Sequence, residues 1–141
     1  MIDIESVVFD TVYNAVIDEF PTARVDAGYV EKSATFPAVS VIETNSVPVR
    51  DTFTDDCSEN FTRLYYEVNI YSDKQDTAKS EARSIAKVVD TAMQSLKMHR
   101  TMMHQLPNQD RTIFRLYMRY EVVVGVKTDS QGNEVYQMYR R

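Results

Sequence analysis

Cysteine is almost missing from this sequence. With Cys57 as the single copy, no internal disulfide can form, and zinc sites built on cysteine pairs are excluded by the same count. Glycine (3) and proline (4) are scarce too, so the chain is neither fibrous nor of the low-complexity kind that stays disordered. The few glycines form no phosphate-cradling loop and no serine elbow, and the 2 histidines do not make an HExxH helix. His99 and His104 fall in a predicted strand at an odd spacing, which sends their side chains to opposite faces and denies them a shared metal. Cys57 sits among acidic residues whose charge opposes a thiolate, which argues against a nucleophile there. No apolar run approaches the roughly 18 residues of a spanning helix, so no membrane contact is expected. Asp3 and Glu5 stand where a leader would be basic, and no secretory signal is expected. These absences recommend neither an enzyme nor a cofactor.

What is present is an ordinary globular composition, 43% hydrophobic and 26% charged, over 141 residues. That length suits a single domain over 1–141 with one core. The net charge of −5 is unevenly spread. Residues 1–62 hold 12 acids against Arg24, Lys32 and Arg50, a balance of −9, while the remaining 79 carry +4. Identical copies could therefore attract one another head to tail, while the simpler reading is that both halves solvate their surfaces. An acidic chain is poorly suited to gripping nucleic acid, which needs clustered Lys and Arg.

The period of the apolar residues outlines the elements. A helix is predicted over 4–20, with Asp3 as its cap and Pro21 as its stop. Its apolar residues, Phe9 and Tyr13 among them, cover about half the circumference, more than one sheet contact requires. A second helix is predicted over 74–97, capped by Asp73 with Asp76 at the third position, and its narrow apolar face reads as lying flat on a sheet. Residues 61–72 and 112–126 alternate as strands with one greasy face. Shorter strands are predicted at 24–30, 38–44, 98–105 and 134–139, with turns at 106–110 and 127–133. The fold class that follows is α+β: an antiparallel or mixed sheet with two helices packed on one face.

The second sheet face then carries Arg63, Tyr65, Glu67, Tyr71, Arg115, Tyr117 and Arg119. Tyr and Arg are enriched at protein interfaces, but cross-strand Tyr–Arg pairs also shield a solvated sheet, and both readings stand. Phe9, Tyr13, Arg63, Tyr65, Tyr71, Arg115, Tyr117 and Arg119 are the candidate subunit or partner contacts. Reversing Arg115 and Arg119 to Glu is expected to impair assembly and spare the fold. The segment 45–60, NSVPVRDTFTDDCSEN, has no sustained period and reads as an acidic arm between two strands, mobile in the free protein. Asp51, Asp55, Asp56 and Glu59 supply oxygen ligands without the glycine and spacing of a calcium loop, so no metal is expected.

Four segments in order carry a resemblance: Phe36-Pro37-Ala38-Val39-Ser40-Val41-Ile42-Glu43; Tyr65-Tyr66-Glu67-Val68-Asn69-Ile70-Tyr71 leading into an alanine-rich helix; Leu106-Pro107-Asn108; and Phe114-Arg115-Leu116-Tyr117-Met118-Arg119-Tyr120. As an ordered set spanning most of the chain they resemble the tail terminator proteins of long-tailed bacteriophages, also described as tail completion, neck or minor capsid proteins. The resemblance implies a non-enzymatic virion protein of the neck, assembled in the host cytoplasm as a hexameric ring on the head-proximal end of the tail tube. Its implied partners are its own copies, the tail tube protein and the head connector or head completion protein. DNA would pass through the lumen without specific binding, and the acidic residues Asp51, Asp55, Asp56 and Glu59 would border that channel. A head completion or tail tube role is the neighbouring alternative. From a different class, the Tyr and Arg face would suit a small cellular ligand-binding or enzymatic domain that takes an anion.

Overall fold

Where apolar residues recur every three or four positions the chain is helical, and where they alternate it is extended. The computed structural model describes residues 1–28, 35–49, 60–107 and 110–139. Along them run α1 (Glu5–Glu19), β1 (Arg24–Asp26), β2 (Ala38–Pro48), β3 (Phe61–Ser72), α2 (Ala78–Ser95), β4 (His99–Leu106), β5 (Phe114–Thr128) and β6 (Glu134–Tyr139). The six strands form one mixed sheet in the order β1-β2-β3-β5-β4, with β1 parallel to β2 and every other pair antiparallel. β3 occupies one edge of β5, so β4 and β6 follow one another along the other. This is the α+β class that the periodicity predicts.

One core joins the layers. Val8, Val12 and Val16 of α1 and Ala82, Ile85, Ala86, Val89 and Met93 of α2 meet Leu64, Tyr66, Val68 and Ile70 of β3 and Leu116, Met118, Tyr120, Val122 and Val124 of β5. Burying a side chain the size of Ile85 or Leu64 contributes about 1.5–3 kcal/mol, so the alternation in the strands and the helical period together fix which face turns inward. α1 lies against α2 and on the β2 side, whereas α2 spans β3, β5 and β4. Ile4, not the predicted Asp3, stands at the N-cap of α1 and supplies no side-chain cap; Asp3, one residue earlier, accepts the Glu5 N–H at 3.0 Å.

The helix over 74–97 is shorter than its pattern. Asp76 adopts φ 64, a left-handed conformation incompatible with a helix interior, so residues 75–77 form a turn and α2 begins at Ala78 after Thr77. The chain there is tied back by the Ser72 hydroxyl, which donates to Glu81 Oε1 at 2.8 Å. Asp73 and Asp76 therefore do not cap the helix. The strand over 38–44 is longer than predicted: Asn45, Ser46, Val47 and Pro48 continue β2 opposite Tyr65, Leu64, Arg63 and Thr62. Their pattern is disguised by a bulge between Glu43 and Asn45 that shifts the alternation by one. Residues 50–59 of the acidic arm, with Asp51, Asp55, Asp56 and Glu59, lie outside the described residues.

A second bulge, between Arg100 and Met102, overturns the placement of the histidines. His99 pairs with Glu121 and His104 with Tyr117, so both imidazoles stand on the outer face. They remain about 13 Å apart along the strand, and distance, not face, separates them. In each bulge a threonine hydroxyl takes up a carbonyl of the neighbouring strand: Thr44 Oγ1 donates to Tyr65 O and Thr101 Oγ1 to Arg119 O, both at 3.3 Å.

Candidate subunit-interaction surface

Odd-numbered residues of β3 and β5 face away from the helices, and their side chains interlock as a diagonal ladder. Arg115 Nε donates to Asn69 Oδ1 at 3.0 Å while its guanidinium lies 5.7 Å from the Tyr71 ring centroid. The Tyr117 hydroxyl donates to Glu67 Oε1 at 2.7 Å, and the His104 ring tilts against Tyr117 at 5.2 Å. One step further, Arg119 sits 5.7 Å from the Tyr65 ring centroid. Each β5 side chain reaches one diagonal position along β3 from its register partner, the sense in which long side chains meet across a pair of strands. These contacts stiffen the face and lower the cost of ordering it against a partner.

Exposure divides the predicted contacts. Arg119 is exposed, and Arg63, Tyr65, Arg115 and Tyr117 are half-buried. Tyr71 is 8% exposed and presents little surface. Phe9 and Tyr13 stack at 5.9 Å on α1, with Tyr13 41% exposed, but they belong to the helical layer on the other side of the sheet. The predicted residues therefore form two separate surfaces. Sequence reasoning did not include His104 and Met102 in the outer face, because only the bulge brings β4 into that register. At the far end of the face, Gly125 leaves room for the Phe61 and Tyr139 rings, 5.8 Å apart, which a Cβ would meet at 2.6 and 3.0 Å.

Two buried polar atoms lie within the face. Ser40 Oγ and Asn69 Nδ2, on residues paired in the β2–β3 register, have no hydrogen-bond partner. On the inner face the tyrosines have partners: Tyr66 donates to Glu43 Oε1 at 3.2 Å and Tyr120 to Asp90 Oδ1 at 2.7 Å. Burial pushes both phenols well above their ordinary value, and the adjoining carboxylates add to the shift. Glu43 is raised by burial too, opposed by the Tyr66 hydrogen bond and reinforced by the charges of Asp3 and Glu5.

Concavities lie around the rim of the sheet. A cleft of about 860 Å³ opens between the turn before α2 and the β4–β5 connection, with Lys74, Arg111 and Arg115 beside Asp73 and Asp76. A groove of about 270 Å³ runs between α2 and β4, lined by Arg83, Lys87, Asp90, Arg100 and Met103. Among the described residues no group of three or more His, Cys, Asp or Glu could hold a metal, and no helix is long and apolar enough to cross a membrane. No protein-family model matches the chain, and no curated protein is significantly similar to it.

Proposed function

We propose that this protein is a structural subunit of a phage neck, a tail terminator that assembles as a ring on the head-proximal end of the tail tube and joins it to the head connector. The observation that carries the reading is the outer sheet face, where Tyr65, Tyr117 and Arg119 are held in place by neighbouring strands yet keep surface open to a partner. Pre-ordered aromatic and guanidinium groups are suited to repeated protein contact. The ordered resemblance of four segments to tail terminators supplies the particular role. DNA would traverse the ring without sequence preference, in keeping with the net charge of −5.

Negative-stain electron microscopy of the purified chain, alone and with tail tubes, tests this. Closed rings, free or seated on one end of each tube, are the expected result. A chain that stays monomeric and leaves tubes bare overturns it, and rings bound only to portals without tubes would move the assignment to a head completion protein.

A further inference from the structure

The two helices turn flanks of opposite character to the two sides of the molecule. On α1, Thr11, Ala15, Asp18 and Glu19 border the groove shared with α2, and Val8, Val12 and Val16 enter the core. At about 100° per residue the next stripe round, away from α2, is Phe9, Tyr13 and Ile17, with Asp10 beside it. Residues 1–23 contain Asp3, Glu5, Asp10, Asp18 and Glu19 and no Lys or Arg. None of these five acids has an ion pair among the described residues. The carboxylates of Asp3 and Glu5 also raise the Glu43 pKa, a sign of crowded negative charge at this side.

On α2 the opposite holds. Ser84, Val88 and Thr91 look towards α1, Arg83 projects on the far side over β4, and Lys87 stands on the crest between, lining the α1–α2 groove with Asp18 and Glu19 as well as the α2–β4 groove. Arg83 and Lys87 are exposed and have no ion pair among the described residues, and the one carboxylate lining the α2–β4 groove with them, Asp90, already takes the Tyr120 hydroxyl and faces Arg100 at 3.8 Å. The groove therefore holds three cations to one acid beside the outermost strand of the sheet on that side.

Resting on the ring-forming role proposed above, we infer that the α2–β4 groove receives the α1 flank of a second copy, Asp10 meeting Arg83 and Lys87 while Tyr13 covers the apolar part of the groove at Met103. The complement is between different surfaces, so the contact is heterologous, and repeating it closes a ring when the rotation allows. Charge complementarity selects the second copy over other occupants, because the acidic flank that the groove requires exists on the same chain. The outer Tyr–Arg face is left free for the tube or connector.

Two double variants test the pairing. Arg83→Glu with Lys87→Glu blocks the groove and spares α1; Asp10→Lys with Tyr13→Arg blocks α1 and spares the groove. All four positions are exposed helical sites, and circular dichroism checks that each variant folds. Light scattering should find each variant monomeric by itself, and their equimolar mixture should give a species of twice the subunit mass and nothing larger, since one intact groove then meets one intact flank. Wild-type rings together with a mixture that stays monomeric overturn the pairing and leave the ring reading standing. A wild-type chain that is monomeric alone and with tubes overturns both. If the Arg83→Glu, Lys87→Glu variant still forms rings and instead loses retention of duplex DNA, the groove is a phosphate-backbone surface and the inference is wrong.

Discussion

Tyr66 and Tyr120 show what a single residue can do on the inside of this sheet. Each ring is 1% exposed or less, yet each hydroxyl reaches a carboxylate at the rim, so an aromatic body fills the core and its polar tip leaves it. Alternation in β3 and β5 makes their inward placement legible. Their partners are not legible, because Glu43 and Asp90 are brought close only by the tertiary fold. Replacing Tyr120 by Phe should cost about 1–2 kcal/mol at neutral pH, the loss of a hydrogen bond to a charged but partly solvated acceptor. The pH dependence follows from the raised phenol. A folded-state pKa above the unfolded value contributes stability that is whole below about pH 10 and is lost as pH rises past it. Urea denaturation should therefore show wild type losing stability steeply above pH 10 and Tyr120→Phe losing less; parallel curves would show that the phenol is not the titrating group.

At the scale of elements, the boundaries of α2 separate what pattern reveals from what it conceals. The apolar stripe gives the body of the helix and its buried face. Its last turn is hidden by Lys97, which takes φ 60 at the position where glycine is usual. The Met98 N–H bonds to Met93 O at 3.0 Å and the Lys97 N–H to Gln94 O at 2.9 Å, and Met93 and Met98 are both fully buried, the paired bonds and apolar contact of a Schellman ending. A lysine reads as helix-compatible, so the sequence carried the helix through 97. Lys97→Gly removes the left-handed penalty and should stabilise the protein by about 1 kcal/mol. Differential scanning calorimetry would register this as a rise in Tm, and an unchanged or lower Tm would contradict the role given to that turn. The bulges are hidden for a related reason: one extra residue, Thr44 or Thr101, reverses the inward set without any change in composition.

For the whole molecule, the roster of the outer face is readable from period-two alternation, but not which of its members hold the fold and which stay available. Arg115 and Arg119 look equivalent in sequence, each two residues from Tyr117 and on the same strand face, and the expectation that both can be reversed without harm to the fold treats them so. The structure separates them. Arg115 satisfies Asn69, which is fully buried and whose Nδ2 already has no partner, whereas Arg119 is exposed and rests on Tyr65. Arg115→Glu would place a carboxylate against the Asn69 carbonyl oxygen and leave that buried acceptor without a donor, a loss of about 1–3 kcal/mol. Arg119→Glu should change stability by no more than about 0.5 kcal/mol, as expected for an exposed charge, while reversing the sign of the surface offered to a partner. If the face contacts the tube or connector, Arg119→Glu rings should form normally and fail to seat on tubes. Salt should act in parallel on wild type, because a Debye length that shrinks from about 30 Å at 0.01 M to about 3 Å at 1 M screens the remaining charge pairs. Sedimentation with purified tubes measures both effects, and Arg119→Glu rings that co-sediment as wild type does would remove this face from the list of contacts.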